Sequence, residues 1–401
     1  MAIVFIIIMA LALAALWLRI DFLHGKKMHE QKYKRKDYPI RHADFTFFTE
    51  GNKLFSDLFE EILQAKKHIH LIFYIVREDS IGHQFFSLLK AKAEEGVQVR
   101  LLLDWVGSHT INPRIIKDLR DAGVHFSFCQ VPRFPYLFYS SQVRNHKKIC
   151  IIDGRLGYLG GFNIGDEYIG ADTKLSPWRD YHLKMTGEGV KDLQAEFLQD
   201  WLNATGEDLR SDSSFHWTEE RIGKCQHQFM STEGIGLEDN YQRLIRMSEK
   251  KIVIGTPYFI PSDRLMSALV DALGRNVEIT IIVPQIADHA LVQEASFPFF
   301  RKLLKHGANI LQFQHGFYHS KIILIDDKVC DIGTANFDKR SLFLNHEMNC
   351  YVYDQSCIHA LKKELDKDIL GSTPISKELL DNPDLYGKFK ELCALLISNF
   401  L

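Results

Sequence analysis

The sequence predicts an α/β protein of two similar lobes, carried on one N-terminal transmembrane helix. Three observations predict this fold class: a motif that returns after 173 positions, buried strands that alternate with helices in both halves, and an uncharged apolar run at the N-terminus. The chain has 401 residues, of which 46% are hydrophobic, so each of two ordinary domains can bury a core.

Residues 1–18 contain no charged or polar side chain, and as a helix they would span about 27 Å, just long enough to cross a bilayer. A cleaved signal peptide is the alternative, because small residues that a peptidase could use occur at Ala10, Ala12, Ala14 and Ala15. No basic residue precedes the apolar run, however, and the run is long for a signal peptide. Both features favour a transmembrane anchor.

A basic segment, predicted to be a juxtamembrane linker over residues 19–44, follows the apolar run. Between residues 19 and 36 the basic side chains outnumber the acidic Asp21 and Glu30; they are Arg19, Lys26, Lys27, Lys32, Lys34, Arg35 and Lys36. Basic flanks tend to stay in the cytoplasm, so we expect a single-pass protein of the cell membrane with a cytoplasmic body. The same charges could bind anionic lipid headgroups, although a solvated linker is equally compatible with them.

The overall composition argues against several classes of protein. Lys+Arg 49 nearly balance Asp+Glu 51 at a formal charge of -2, so no global excess of positive charge favours a polyanion. The seven cysteines include no CxxC pair and show no regular spacing. This pattern argues against a disulfide framework or a zinc knuckle, and it favours a reducing compartment.

One motif occurs twice, and this repeat dominates the sequence. The first copy contains His146, Lys148, Asp153, Gly160, Gly161 and Asn163, and the second contains His319, Lys321, Asp326, Gly333 and Asn336. Five shared residues are displaced by the same 173 positions, as from 146 to 319. A single H-x-K-x(4)-D match would be a weak signal, but five coincidences at one offset indicate a duplicated domain.

The surroundings of the two motifs repeat more loosely. Residues 96–104 and 276–284 each resemble a buried strand that follows a helix, as in α/β domains with a largely buried sheet. The predicted divisions are an anchor at 1–18, a linker at 19–44, lobe 1 at 45–210, lobe 2 at 211–370, a polar connection at 204–220 and a C-terminal helical packing segment at 371–401.

The motif itself predicts a hairpin and a shared face. Two apolar runs between residues 147 and 159 flank an Asp153-Gly154 turn signal. Alternate side chains of a strand share a face, so His146 and Lys148 project together, as do the two equivalent residues of the second copy. An imidazole beside an ammonium group suits a hydrophobic core poorly, but it is well suited to holding a phosphate.

Phosphodiester exchange needs a nucleophile, a proton donor for the leaving alkoxide and positive charge near the non-bridging oxygens. If the lobes face each other, one histidine could attack phosphorus while the other protonates the leaving oxygen and later deprotonates the incoming alcohol. The predicted catalytic residues are His146, Lys148, Asp153, His319, Lys321 and Asp326, with Asp153 and Asp326 orienting groups within the motif. The predicted phosphate-binding residues are Asn163, Asn336, Gly160, Gly161 and Gly333. No metal ion or other cofactor is required by this scheme.

Both copies match the signature H-x-K-x(4)-D-x(6)-G-[GST]-x-N, and the chain resembles the phospholipase D superfamily from about residue 45 to 353. The segments at 161–168, 178–180, 256–261 and 336–347 are similar to those of bacterial cardiolipin synthases. The resemblance implies two pseudo-symmetric α-β-α sandwich lobes with the site between them. It also implies the joining of two phosphatidylglycerol molecules with release of glycerol, through a covalent phosphatidyl-histidine.

The resemblance further implies roles for individual residues. His146 is expected to be the nucleophile and His319 the general acid and base, with Glu167 and Glu347 as partners of the histidines. Lipid substrates would also need apolar surface near the site. The aromatic runs at residues 131–139 and 297–300 could form a membrane-interface rim, or they could be ordinary packing residues.

Three other functions compete with this interpretation. Water could replace the alcohol, or another alcohol could be used, because both attack the same intermediate. A nuclease would show a basic groove and usually no membrane span, so we expect no nucleic-acid partner. A lipid-binding scaffold that lost its chemistry would have lost a motif residue, and here both copies are intact.

Overall fold

The computed structural model describes residues 1–171, 175–215, 223–289, 291–376, 378, 380, 385–398 and 400. Part of the predicted polar connection, residues 216–220, and several positions of the predicted C-terminal segment lie outside these ranges.

The described helices are α1 (Ala2–Lys32), α2 (Gly51–Gln64), α3 (Ser80–Glu94), α4 (Trp105–Ser108), α5 (Pro113–Asp121), α6 (Leu137–Gln142), α7 (Val190–Thr205), α8 (Leu237–Met247), α9 (Asp263–Gly274), α10 (Val292–Lys305), α11 (Lys339–Phe343), α12 (Gln355–Leu370) and α13 (Leu385–Ile397). The described strands are β1 (Lys36–Asp37), β2 (Arg41–Phe48), β3 (His68–Phe73), β4 (Gln98–Asp104), β5 (His125–Cys129), β6 (Ile149–Ile152), β7 (Leu156–Gly160), β8 (Trp178–Arg179), β9 (His182–Gly187), β10 (Cys225–Glu233), β11 (Lys251–Gly255), β12 (Phe259–Ile260), β13 (Glu278–Pro284), β14 (Asn309–Phe313), β15 (Phe317–Tyr318), β16 (Ile322–Ile325), β17 (Val329–Gly333), β18 (Phe337–Asp338), β19 (His346–Val352) and β20 (Ser372–Pro374).

One continuous sheet runs through both lobes. Its order is β20-β14-β13-β11-β16-β17-β19-β10-β2-β9-β7-β6-β3-β4-β5, and β1 also pairs with β10. The series β4-β3-β6-β7-β9 in the first half returns as β13-β11-β16-β17-β19 in the second, with the same parallel and antiparallel pairings. The predicted duplication is therefore present in the backbone, and β10 joins the halves by pairing with β2 and β19.

Helices cover both faces of this sheet. On one face, α7 and α12 contribute buried residues such as Phe197 and Leu361 to a core that the two lobes share. On the other face, α2 and α3 pack over lobe 1, while α8 and α9 pack over lobe 2. The predicted α-β-α sandwich of two similar lobes is confirmed.

The two motif hairpins form as predicted, because each apolar run can bury both faces while a left-handed residue turns the chain. In the first copy β6 and β7 pair around Asp153, which has φ 53°, and in the second β16 and β17 pair around Asp326, which has φ 52°. A short polar side chain tolerates this conformation better than a branched one. The turns lie at the ends of β6 and β16 that are remote from the motif histidines, which precede these strands.

Helix α1 is longer than the predicted anchor and has two unlike parts. Among the described residues, it is the one helix that is long and apolar enough to cross a membrane. An 18-residue window within it has a mean hydropathy of 2.7. Residues 2–17 are exposed, whereas Asp21 and Gly25 are buried against the body, where Asp21 Oδ1 accepts a 2.7 Å hydrogen bond from the Tyr139 amide. The helix thus continues through much of the range predicted to be a linker, and it docks there.

Candidate active site

A cavity of about 520 Å³ lies where the two lobes meet. Lobe 1 contributes His146 and Asn163 to its lining, and lobe 2 contributes His319 and Asn336. Aromatic rings lie beside the imidazoles, with Tyr74 centred 5.2 Å from His146 and Trp178 centred 4.8 Å from His319. The structure therefore brings both predicted histidines and both predicted asparagines to one cavity.

Each histidine is bonded to an acid of the opposite lobe. His146 Nδ1 lies 3.0 Å from Glu347 Oε2, and His319 Nδ1 lies 2.6 Å from Asp180 Oδ2. Because an ionised carboxylate only accepts hydrogen bonds, we assign the proton of each neutral imidazole to Nδ1, which leaves each Nε2 with a free lone pair. Lys321 Nζ also lies 2.6 Å from His319 Nδ1. We refer to the two histidine–acid bonds below as the crossed pairs. They leave both imidazoles with the nitrogen that can attack phosphorus or take up a proton.

Backbone contacts between the lobes build the crossed pairs. The His146 amide donates to the carbonyl of His346, immediately before Glu347, at 2.9 Å. The His319 amide donates to the carbonyl of Arg179, immediately before Asp180, at 2.7 Å. The same inter-lobe bridge is thus used twice, and it fixes each imidazole beside its acid.

Asp180 and Glu347 are equivalent positions of the duplication. Gly160 pairs with His182 across β7 and β9, and Gly333 pairs with Asn349 across β17 and β19, so each acid lies two residues before the partner of the equivalent glycine. From 180 to 347 the offset is 167 positions rather than 173, because the segment between motif and acid is shorter in lobe 2. This change of offset conceals the equivalence in the sequence.

Both acids stay ionised although they are fully buried. Burial alone would raise the pKa of Asp180, but Lys321 and His319 hold it below its usual value. Burial acts in the same way on Glu347, and His146 together with hydrogen bonds holds its pKa low. Among these hydrogen bonds, Thr334 Oγ1 donates to Glu347 Oε2 at 2.6 Å.

The motif lysines lie behind the histidines. Lys148 Nζ donates to the His146 carbonyl at 2.7 Å, and Lys321 Nζ donates to the His319 carbonyl while lying 3.5 Å from Asp180 Oδ2. Burial lowers the pKa of Lys148 to about 7 and that of Lys321 to about 8. Burial also lowers the pKa of both histidines, that of His319 to about 4. Both imidazoles are therefore neutral at pH 7.

A family model described as "Cardiolipin synthase, PLD-like domain" matches residues 58–201 and 241–369, which contain both motifs and both partner acids. The chain belongs to the cardiolipin synthase family.

Two curated relatives match the chain over most of its length. It is 39% identical over 399 residues to the minor cardiolipin synthase of Bacillus subtilis (strain 168), covering 99% of this chain and 100% of the relative. It is 37% identical over 358 residues to a cardiolipin synthase of Oceanobacillus iheyensis, covering 88% of this chain and 74% of the relative. Such relatives are phosphatidyltransferases that act on membrane phospholipids, and this chain is an enzyme of the same class.

Solved structures show the same fold at low sequence identity. The phosphatidylserine synthase of Haemophilus influenzae Rd KW20 has a TM-score of 0.71 at 18% identity, covering 94% of this chain and 100% of that one. The polyphosphate kinase of Porphyromonas gingivalis has a TM-score of 0.55 at 16% identity, covering 81% and 50%. These likenesses concern the fold alone.

The motif glycines have a different role from the predicted one. None of the three is among the residues that line the cavity. A Cβ atom on Gly161 would lie 2.1 Å from Asp180 Oδ1, and one on Gly333 would lie 2.5 Å from the Met348 carbonyl oxygen. Gly160 similarly faces His182 Cα at 2.5 Å. The glycines therefore leave room for the neighbouring segment that carries the acid, and the structure does not bring them to the cavity.

The motif aspartates also lie outside the cavity. Asp153 accepts hydrogen bonds from the amides of Lys66, Lys67 and His68 at 2.7 to 3.2 Å. Asp326 accepts equivalent bonds, each of 2.8 Å, from the amides of residues 249–251. Both carboxylates cap the start of a neighbouring strand at the remote end of the hairpin. Their predicted catalytic role is corrected to a structural one.

We expect the substitution D153A to lower stability while leaving the chemistry intact. Three amides lose their acceptor, which should cost about 1–3 kcal/mol of the free energy of unfolding. Denaturant unfolding in detergent would measure the loss, and D153N, which keeps one acceptor oxygen, should lose less. A loss of turnover per folded molecule beyond about tenfold would contradict the structural role.

The predicted partner acids separate into one that contacts a histidine and one that does not. Glu347 does, whereas Glu167 lines the cavity and pairs with Arg77 at 3.4 Å. Sequence reasoning assigned no role to Asp180 or to Arg340, whose Nη1 donates to the Phe400 carbonyl at the cavity rim. Both residues lie in segments that resemble cardiolipin synthases, and this resemblance was the one indication in the sequence that they could belong to the site.

Two groups of described residues have metal-ligating atoms close together, and neither group lines the cavity. One is Cys225, Asp354 and Cys357, in which the two cysteines form a disulfide that the spacing of the cysteines did not predict. The other is Asp200, Glu233 and His346, but Lys147 Nζ lies 3.0 Å from Asp200 Oδ2 and supplies the positive charge there. The residues around the histidines are suited to an acid-base and covalent mechanism.

Proposed function

We propose that this protein is a cardiolipin synthase that transfers the phosphatidyl group of one phosphatidylglycerol to a second. The crossed pairs carry the proposal, because they give one cavity two histidines with a free Nε2, each oriented by an ionised acid. This arrangement supplies a nucleophile and a separate proton carrier, which the two half reactions need.

In the first half reaction, Nε2 of His146 attacks phosphorus and the bond to the glycerol oxygen breaks. His319, protonated at Nε2, gives its proton to that oxygen, and glycerol leaves. In the second, a hydroxyl of another phosphatidylglycerol gives its proton back to His319, its oxygen attacks phosphorus, and the phosphorus–nitrogen bond to His146 breaks. A bound phosphodiester anion favours the imidazolium form, which lets His319 act as the acid although its pKa is lowered in the free site.

Positive charge around the cavity supports binding of the phosphodiester. Arg77, Arg144 and Arg340 line it, and the two motif lysines lie directly behind the histidines. Asn163 and Asn336 line it as well, so their predicted contact with phosphate remains part of the proposal. The buried Asn336 Oδ1 has no hydrogen-bond partner among the described residues, so it is free to accept from a substrate hydroxyl.

The membrane placement is a further part of the proposal. The exposed apolar part of α1 spans the bilayer, and the basic residues that follow it hold the catalytic body on the cytoplasmic side. Substrate would then be drawn from the leaflet beside the body. We propose that nucleic acid is not a substrate, because the overall charge is -2 and the cavity is tied to a membrane helix.

Purified full-length protein in detergent micelles should convert phosphatidylglycerol alone into equal amounts of cardiolipin and glycerol, measured by mass spectrometry. Phosphatidic acid as the product would mean that water is the acceptor and would replace the transferase with a hydrolase. A phosphatidyl ester of another alcohol, formed in competition when that alcohol is added, would indicate a different transferase.

We expect kcat/KM to fall as pH rises through about 7 to 8. Lys148 and Lys321 have pKa values lowered to about 7 and about 8, so they lose the positive charge that attracts phosphate in this range. A lysine with an ordinary pKa would hold its charge until pH 10. The pH profile of kcat/KM reports the free enzyme and would show this limb. A constant kcat/KM between pH 7 and 9 would contradict the role of the lysines.

A further inference from the structure

We propose that α13 lies in the bilayer interface as a second membrane contact and that, together with α1, it holds the rim of the cavity against the lipid surface. The inference rests on the proposed membrane placement of the catalytic body. It assigns a lipid-binding surface to a C-terminal segment for which the sequence predicted only a packing role.

The apolar side of α13 faces outward. Tyr386, Phe389, Leu392 and Leu396 are 57% to 74% exposed, and their spacing of three to four residues places them along one side of the helix. We call these four residues the outer stripe. A helix on a water-facing surface would turn such residues inward, so the outer stripe is suited to an apolar environment.

Two polar groups of the same segment, Glu391 and Ser398, face inward. Glu391 binds Arg301 of α10 through two bonds, one of 3.2 Å between Oε1 and Nη1, and Ser398, just after the helix, accepts from Lys339 Nζ at 3.2 Å. On the inward side, Ala394 belongs to a small apolar cluster that also contains Val292 and Ala295 of α10. The helix is therefore fixed to the body by polar contacts and a small apolar contact. Its larger apolar side chains face away from the body, which is the opposite of the usual orientation of an amphipathic surface helix.

Continuity with α1 identifies the bilayer as what covers the outer stripe. Phe400, shortly after α13, packs against Phe22 of α1 with ring centroids 5.3 Å apart, and against Phe138 at 5.7 Å. The apolar segment of α1 ends at residue 18, and Phe22 follows it by about one helical turn, where the helix docks on the body. Phe400, four residues after Leu396, thus lies beside the base of the proposed membrane span, which places the C-terminal end of the outer stripe near that span.

The charges on α13 fit an interfacial helix. Its exposed Lys388 can extend along the apolar surface and reach lipid phosphates. The acid Glu391 is paired with Arg301 on the inward side, so it does not repel an anionic surface. Val292 and Phe400 also line the cavity, which places the cavity rim between the two membrane contacts. Acyl chains could remain in the bilayer while the headgroup enters between them.

The test is photolabelling of the wild-type full-length protein in vesicles of phosphatidylglycerol and phosphatidylcholine that carry a diazirine on the acyl chain. Peptide mapping by mass spectrometry should find label in residues 2–18 of α1, which serve as the positive control, and at the outer stripe of α13. Leu370, at the end of α12, is 86% exposed and is the matched control for an apolar residue that faces water. It should remain unlabelled.

Label in α1 but not in α13 would overturn this inference and leave the proposed function untouched. Absence of label from both helices would overturn the membrane placement as well. An unlabelled α13 in a protein that light scattering shows to be a dimer would overturn the inference in favour of a second copy of this chain.

A second measurement separates membrane contact from folding. The variant F389S/L392S/L396S should lose at least about tenfold of its activity on vesicles, because three apolar side chains no longer enter the lipid. It should keep its activity on a short-chain, monomeric phosphatidylglycerol, and L370S should match the wild type in both assays. Equal losses on both substrates would show that the outer stripe stabilises the fold instead, and would overturn the inference.

Discussion

The substitutions H146A and H319A are each expected to lower cardiolipin formation by at least about a thousandfold. Neither half reaction can proceed without its nucleophile or its proton carrier, and nucleophilic and acid-base steps typically contribute effects of this size. The crossed pairs orient both imidazoles, so each variant also leaves a buried acid without its partner. Glycerol release and cardiolipin formation from phosphatidylglycerol would be measured together by mass spectrometry.

The exposed His306 provides the control, because its imidazole bonds the Lys302 carbonyl within the same helical turn and lies outside the cavity. H306A should retain full activity. Acid quenching during turnover with labelled phosphatidylglycerol should trap a protein-bound phosphatidyl group. We expect H146A to lack this adduct, since His146 is the proposed nucleophile. An adduct present in H146A and absent from H319A would reverse the two roles, and unchanged turnover in either variant would contradict the mechanism.

The substitutions D180N and E347Q are expected to lower kcat by about a hundredfold to ten-thousandfold, with small effects on KM. An amide can donate to Nδ1 and thereby move the imidazole proton to Nε2. His146 then lacks the lone pair that attacks phosphorus, and His319 lacks the lone pair that takes the proton of the incoming hydroxyl. The effect of each acid should pass through the histidine of the opposite lobe, which makes Asp180 and Glu347 positioning residues.

A double-mutant comparison tests that route. Adding D180N to H319A should cause no further loss, and the same holds for E347Q added to H146A, because residues that act as a unit are not additive. The control is E167Q, since Glu167 lines the same cavity but contacts neither histidine. A loss in E167Q as large as that in D180N would mean that cavity charge, and not the crossed pair, accounts for the effect.

Sequence reasoning could predict the features that depend on neighbouring residues. The apolar runs around Asp153 and Asp326 predict hairpins, and both hairpins form. The repeat predicts two lobes because a duplicated pattern of strands and helices folds twice. These expectations agree with the structure because each depends on a local period.

Contacts between distant segments could not be predicted from local periods, and for Glu347 only the family resemblance implied a contact with a histidine. The crossed pairs join residues 139 to 201 positions apart, and the equivalent acids are displaced by 167 positions rather than 173. Asp153 belongs to the motif but lies at the other end of its strand, so membership of the motif gave no information on distance from the cavity. Helix α1 passed the predicted boundary at residue 18 because charged residues with good helix propensity extend it and Gly25 lets it approach Tyr139 closely.

The crossed pairs also have consequences for how such an enzyme could evolve and for whether its chain can be divided into two fragments. A gene fragment that encodes either half alone would produce a protein whose histidine has no acid, so an ancestor of half this length would have needed two copies to assemble one working centre. Fusion then makes that pairing permanent and lets the halves diverge. Two fragments of the present chain, co-expressed from separate genes, should restore activity only when both are made in the same cell.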